Sequence, residues 1–297
     1  MSSGIFSKEL EEKQKGKEET ATPEATSSKV DGKYEVEDVD VIQLRNICKT
    51  FENGFKLFDN FNLELKDFKD KNQRISFVGP SGSGKSCVLR LISQLDTPDS
   101  GEVLVYGKPA AEMPHIQMVF QQYSAFPWQK VWEVASMSLK LKGIGKEERK
   151  KRAYEVLKLV GLEGQEEKWA QYPILSGGQL QRVCLSRALC DAKNSKIILL
   201  DEVTSALDVK SKRDIEDAIL NVCYNSDLDP TIINVTHDIS EAVYLSNRIY
   251  VFASNPCRVH KIIDVSFGVE RRTHELRDTR EFAEYVSQVE SALNEIM

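Results

Sequence analysis

Two kinds of apolar pattern alternate along the chain. Three segments, "VDVIQLRNICKTF" (39–51), "FKLFDNFNLELK" (55–66) and "GEVLVYGK" (101–108), alternate apolar and polar positions. That period of two predicts half-exposed strands, grouped as an antiparallel unit. Four other runs, "RISFVG" (74–79), "KIILLDE" (196–202), "TIINVTHD" (231–238) and "RIYVFAS" (248–254), are apolar without alternation and have helical sequence nearby. Such runs predict strands buried on both faces of a parallel sheet. From about Pro127 to Asp191 the pattern turns helical. "KEERKKRAYEVLKLVGL" places Ala153, Val156, Leu157 and Val160 on one stripe and ends at a glycine. "RDTREFAEYVSQVESALNEIM" predicts a final amphipathic helix. No internal repeat is present, and each motif below occurs once.

Residues 1–38 carry Lys, Glu, Ser and Thr with almost no large apolar side chains. Such composition does not offset the entropy of ordering, so a disordered charged tail is expected there. Hydrophobic residues make up 41% and charged residues 29% of the 297, ordinary values for a soluble globular chain. The net charge of −6 and pI near 5.5 disfavour a nucleic-acid binder. No stretch approaches 18 consecutive apolar residues, and the N-terminus lacks the apolar centre of a signal peptide. The cysteines (Cys48, Cys87, Cys184, Cys190, Cys223, Cys257) are scattered, with no Cys-x-x-Cys pair. Free thiols in a reducing cytoplasm are expected, without a zinc site.

The candidate chemistry begins at "GPSGSGKS" (Gly79, Pro80, Ser81, Gly82, Ser83, Gly84, Lys85, Ser86), which fits G-x-x-x-x-G-K-[ST]. It follows an apolar run and precedes helical sequence, the strand–loop–helix context that the motif needs. Backbone N–H groups and the positive end of the helix would surround phosphates. Lys85 would reach the outer phosphates, and the Ser86 hydroxyl would ligate Mg²⁺. "KIILLDE" supplies Asp201 for the metal and Glu202 as general base on the attacking water. A second phosphate-facing loop, "YPILSGGQLQRV" (172–183), then stands without an evident ligand of its own.

Taken in order, "GPSGSGKS", "VFQQ" with Gln121, "LSGGQLQRV", "IILLDE", "SALD" and "NVTHD" with His237 resemble the ATP-binding subunit of ATP-binding cassette (ABC) transporters, over roughly residues 40–265. The resemblance implies an α/β fold: a P-loop cassette with a mostly parallel core sheet, an antiparallel β subdomain and an α-helical subdomain (about 127–190). It divides the chain into the tail 1–38, the nucleotide-binding domain 39–265 and a helical extension 266–297. It also resolves the second loop. In such proteins two cassettes pair head to tail, so Ser176, Gly177, Gly178 and Gln179 would cover the γ-phosphate of ATP held by the partner. His237 would contact the same phosphate, Gln121 would sense Mg²⁺ and the attacking water, and Asp208 would sit at the dimer seam. Phe51 matches the adenine-stacking position, with Phe55 and Phe58 as nearby aromatics that core packing also explains. Cys87 stands where many members have Thr.

"SAFPWQKVWEVASMSLKLKGIGKEERKKRAYEVLKLVGL" (124–162), above all Phe126-Pro127-Trp128, is similar to the nitrate/sulfonate/taurine branch of importer ATPases. The tail "FAEYVSQVESALNEI" resembles that branch as well. The resemblance implies an ATPase at the cytoplasmic face of the membrane. Its partners would be a second, identical cassette, an integral permease and, indirectly, a substrate-binding protein. The alternatives are an export-type cassette and a soluble ABC ATPase of translation or DNA repair. Those last carry two cassettes or a long inserted coiled coil, and neither is present here.

Overall fold

The computed structural model describes residues 30, 31, 34, 35, 37, 39–69, 73–113, 116–192, 196–225, 230–269 and 271–297. The expected charged tail lies mostly outside the described residues. Within its span, Val30–Asp31 (β1) pairs antiparallel with Tyr34–Glu35 (β2).

The remaining strands are β3 (Ile42–Thr50), β4 (Lys56–Leu65), β5 (Arg74–Val78), β6 (Ser100–Val105), β7 (Lys108–Pro109), β8 (Gln117–Val119), β9 (Ile197–Asp201), β10 (Thr231–Val235), β11 (Arg248–Ala253) and β12 (Arg258–Asp264). The helices, in chain order, are α1 (Lys85–Ile92), α2 (Val131–Ala135), α3 (Met137–Leu141), α4 (Lys146–Leu159), α5 (Gly177–Cys190), α6 (Val209–Asn225), α7 (Ile239–Leu245) and α8 (Arg280–Asn294). Short 3-10 turns cover Ala110–Glu112 and His274–Asp278.

The two apolar patterns sort into two sheets. The alternating segments form an antiparallel sheet in the order β4-β3-β6-β7. The continuous runs β9, β10, β5 and β11 are neighbours in a six-stranded sheet of order β12-β11-β5-β10-β9-β8, parallel except for β12. Their lack of alternation has a direct cause, since both faces are covered. Ile197, Leu199, Ile233, Val235, Phe77 and Phe252 point into a core shared with α1 and the antiparallel sheet. Ile198, Leu200, Ile232, Val78 and Val251 point into a second core built with helices α2 and α4 to α8. Full burial of each such side chain contributes roughly 1.5–3 kcal/mol, so each strand is an anchor for both layers.

The structure departs from the sequence expectation in three places. Strand β8 has only three residues, too few for a readable period. Strand β12 is an exposed edge with one buried residue, Ile263, and carries no apolar run. The stretch expected to be helical from Pro127 to Asp191 is interrupted after Val160. Gly161 and Gly164 have φ of 68° and 80°, which ends α4, and turns continue until α5.

The loop after β5 is pinned against β11. A Cβ on Gly79 would lie 2.4 Å from the Phe252 carbonyl oxygen, and this backbone atom is fixed in the sheet. Gly79→Ala therefore forces β5 and β11 apart. The expected cost is about 1–3 kcal/mol, typical of overpacking, read as a Tm lower by several degrees in thermal unfolding. An unchanged Tm would show that this contact does not constrain the sheet.

Candidate nucleotide-binding site

At the C-terminal edge of the parallel strands lies an open cleft of about 360 Å³. One wall is Phe51 and Phe55 from the turn between β3 and β4, with Leu57 of β4. The other is Ser81, Gly82, Gly84, Lys85, Ser86 and Cys87, with Glu202 at one end. The chain turns from β5 into α1 through left-handed glycines at Gly82 and Gly84, with φ of 77° and 90°. Helix α1 starts on Gly84, which supplies no side-chain cap. Its first-turn N–H groups lack intrahelical partners and face this end of the cleft. An uncapped helix N-terminus beside a lysine suits phosphate.

The Lys85 ammonium donates to the Gly79 carbonyl (2.9 Å), the Pro80 carbonyl (2.8 Å) and Ser83 Oγ (3.2 Å). Burial lowers its pKa, opposed by Glu202 and Asp201. Of the P-loop residues, Ser83 is fully buried and Gly79 packs on Phe252, so these two shape the loop from behind. The Ser86 hydroxyl donates to Asp201 Oδ1 at 2.7 Å, although 115 residues separate the two. Burial raises the Asp201 pKa, partly offset by that hydroxyl. A hydroxyl and a half-buried carboxylate make an all-oxygen donor set of the kind that suits Mg²⁺.

Glu202 follows Asp201 with φ of 50°, a left-handed conformation rare for a non-glycine residue. Three bonds over-determine it: its N–H donates to the Val235 carbonyl (2.9 Å), and its own carbonyl accepts from Ser205 N and Oγ. Such backbone strain, on the order of 1–3 kcal/mol, persists where surroundings enforce it. Here it turns the carboxylate out of the sheet toward the cleft. His237, two residues past the end of β10, brings Nδ1 to 3.6 Å from Glu202 Oε2. Gln121 is exposed and lies two residues beyond Val119, whose partner in β9 is Leu200, so it leaves the sheet level with Glu202.

Both Phe51 and Phe55 stand at the cleft, with parallel rings 6.4 Å apart. Phe58 is buried, tilted on Phe61 at 5.0 Å. The sequence reading favoured Phe51 and assigned core packing to Phe55 and Phe58. Exposure now removes Phe58 and leaves a pair at the mouth.

The residues 176–179 do not line this cleft. Ser176 caps α5 by a reciprocal box: its Oγ accepts from Gln179 N (3.2 Å) and Gln179 Oε1 accepts from Ser176 N (2.9 Å). Gly178 is required by a close approach, because a Cβ there would lie 2.7 Å from Ser211 Cβ in α6. Ser211 is held by Asp208, whose Oδ1 accepts from Lys210 N and Ser211 N (both 3.0 Å) and whose Oδ2 accepts from Ser211 Oγ (2.7 Å). These bonds, the Ser211 hydroxyl first, lower the Asp208 pKa. Asp208 is thus the cap of α6 as well as an exposed carboxylate.

Two side chains absent from the sequence reading hold the segment around Gln121. Gln181, buried on α5, donates to the Phe120 carbonyl at 2.8 Å, next to Gln121. Arg187, further along α5, donates to Ser124 O and Oγ (3.0 and 2.9 Å). Both sit in the polar run behind the second glycine loop. That run carries the only sequence signal for them.

The ABC transporter family model matches residues 58–205. The chain is 37% identical over 262 residues to an uncharacterized ABC transporter ATP-binding protein of Methanocaldococcus jannaschii, covering 86% of this chain and 91% of that protein. It is 36% identical over 243 residues to the nitrate import ATP-binding protein NrtD of Synechocystis, covering 79% and 86%. ATP-binding proteins named for import of spermidine/putrescine, aliphatic sulfonates and Fe(3+) match at 36–38% identity, the spermidine/putrescine one over 59% of its own length. Among solved structures, a dimeric ATP-binding cassette in a post-hydrolysis state with ADP and Pi aligns with a TM-score of 0.63 and 31% identity, covering 76% of this chain and 99% of that one. Among the described residues, no helix is long and apolar enough to cross a membrane.

Proposed function

Since this chain belongs to the ABC transporter family as an ATP-binding, ATP-hydrolysing cassette, we propose that it powers import of a small anion, of the nitrate, sulfonate or taurine class, through a separate membrane permease. The observation that carries the ATPase site is a cleft lined by the P-loop and Glu202, with Asp201 bonded to Ser86 and His237 3.6 Å from Glu202 just behind it. The loop 176–179 lies outside that cleft, which supports a site completed by the corresponding loop of a second copy.

In this reading the adenine stacks on Phe51, with Phe55 widening the aromatic platform. The phosphates lie along Ser81–Ser86, on the α1 N-terminus and the Lys85 ammonium, with Cys87 continuing the lining. Ser86, Asp201 and Gln121 would hold Mg²⁺, which supplies charge neutralisation for the transferring phosphoryl group when bound. Glu202 accepts a proton from the attacking water as its oxygen bonds to the γ-phosphorus and the bond to ADP breaks. His237 contacts the γ-phosphoryl oxygens and fixes Glu202. The partner's Ser176–Gln179 segment would close the site, with Asp208 at the seam. Because ATP lies in the interface, its affinity is higher for the closed pair, and this difference drives closure.

Two features favour the anion class over polyamine or ferric ion. Phe126 and Trp128 pack together with ring centroids 5.6 Å apart, and Trp128 stays exposed beside the helices that would receive the permease. The chain also matches the nitrate relative over 86% of that protein, against 59% for the spermidine relative. The test is purification from membranes through a tag on this chain. A co-purifying multi-span permease with an anion-binding partner protein is expected. Ribosomal or DNA-repair components without an integral membrane protein would overturn the transport role.

A further inference from the structure

The histidine at the site is mostly exposed. His237 is 64% exposed along its side chain, and its position is set by the backbone on either side. That backbone is anchored by charge. The Asp238 N–H donates to Thr236 Oγ1 (3.0 Å), closing a small turn around His237. Asp238 Oδ1 accepts from Glu241 N (2.9 Å) and so caps α7, while Oδ2 accepts from the Lys212 ammonium at 2.6 Å. Lys212 reaches in the other direction to Glu241 Oε2 at 2.9 Å.

Glu241 is 1% exposed and links the turn after Glu202, strand β10 before His237 and the start of α6. Thr204 Oγ1, two residues past Glu202, donates to it. Asn234 Nδ2, on β10 three residues before His237, donates to its other oxygen at 3.0 Å. Lys212 comes from the first turn of α6, where its own N–H bonds the Asp208 carbonyl at 2.9 Å. One ammonium therefore stands between two carboxylates and ties the Asp208 turn, the Glu202 turn and the His237 turn together. One helical turn further, Glu216 is fully buried and accepts from Arg277 Nη2 at 2.8 Å, so a second cation from the C-terminal extension offsets the excess negative charge. Burial opposes the charge on Lys212, yet Glu241 and Asp238 outweigh it and leave its pKa raised.

We propose that Lys212 and Glu241 are positioning residues for hydrolysis, holding the turn that carries His237 in register with Glu202. The inference rests on the reading that His237 and Glu202 act at the γ-phosphate. Neither Lys212 nor Glu241 lines the cleft, so they touch no substrate. Their effect passes through the Asp238 carboxylate and the Thr204 hydroxyl. Without the ammonium, Asp238 and Glu241 face each other uncompensated across the start of α7, and the His237 turn loses its tether to α6. Misplacement of a reacting group by about 1 Å costs up to roughly 10²-fold in rate.

The experiment measures kcat, KM for ATP and Tm for Lys212→Met, Lys212→Arg, Glu241→Gln and His237→Ala, singly and with Lys212→Met combined with His237→Ala. Expected is a kcat lower by about 10–10²-fold in Lys212→Met, with KM changed by less than about twofold, since binding groups are untouched. Lys212→Arg recovers most of the rate. The combined variant is no slower than His237→Ala alone, because Lys212 acts through that histidine. If Lys212→Met yields little folded protein, the pair Lys212→Met with Glu241→Gln removes both charges together and is expected to show the same kcat loss. A native kcat in the folded variant, or losses that multiply with His237→Ala, overturns the positioning role. A native rate in His237→Ala itself overturns the reading of the site, and the positioning role falls with it.

Discussion

Glu202→Gln lowers kcat by about 10²–10⁴-fold, the usual weight of general-base proton transfer, while ATP still binds. The substitution keeps the shape of the side chain and the left-handed turn at φ 50°, which is set by Val235 and Ser205 rather than by the carboxylate. What it removes is the carboxylate beside His237 Nδ1, the proposed proton acceptor. With hydrolysis blocked, ATP stays in the interface that it stabilises, so the two-copy form accumulates. Phosphate release measures the first effect, and size-exclusion chromatography with and without ATP measures the second. Hydrolysis at the native rate would remove Glu202 from the base role. Loss of ATP binding together with rate would show that the carboxylate holds the loop instead.

Lys85→Met acts one step earlier, on binding. The lysine stem is buried and Met fills nearly the same volume, so the change isolates the ammonium. That group donates to three oxygens of its own loop within 3.2 Å, and two phosphate oxygens would take such bonds when ATP binds. Charge-assisted hydrogen bonds contribute about 1.5–3 kcal/mol each, so two of them correspond to a Kd for ATP weaker by about 10²–10⁴-fold. Equilibrium binding of labelled ATP reads the change directly. The rise in Tm on adding ATP, which follows the ratio of ligand concentration to Kd, shrinks in parallel. Affinity within about threefold of native, less than one such bond is worth, would show that the α1 N-terminus alone holds the phosphates.

The two kinds of apolar run were legible as two kinds of sheet because coverage on one face or two leaves a direct mark on residue choice. Strands β8 and β12 left no mark. One is too short to show a period and the other is an edge with a single buried side chain. The P-loop was readable in full, since strand, glycines, lysine and hydroxyl lie within a few residues of one another. The reciprocal cap of Ser176 and Gln179 went unread, although it is a contact only three residues long, because the same residues were read as a phosphate loop. The placing of Phe55 beside the favoured Phe51, with only Phe58 in the core, was not readable either. All three are aromatic and close together, and only the path of β4 decides that Phe58 turns inward while the other two face the cleft.

What the sequence determined by itself is the set of local devices: the phosphate loop, the helix caps, the buried-strand runs and their order along the chain. Each depends on bonds between residues a few positions apart, so composition and spacing encode it. The tertiary structure decided which devices meet. Ser86 finds Asp201 across 115 residues, and Gln181 reaches the Phe120 carbonyl across 61. Lys212 joins Asp238 across 26. These meetings depend on the strand order β5-β10-β9-β8, which brings distant strand ends to one edge. That order comes from burying both sheet faces at once, a property of the whole packed chain that no short stretch of it carries.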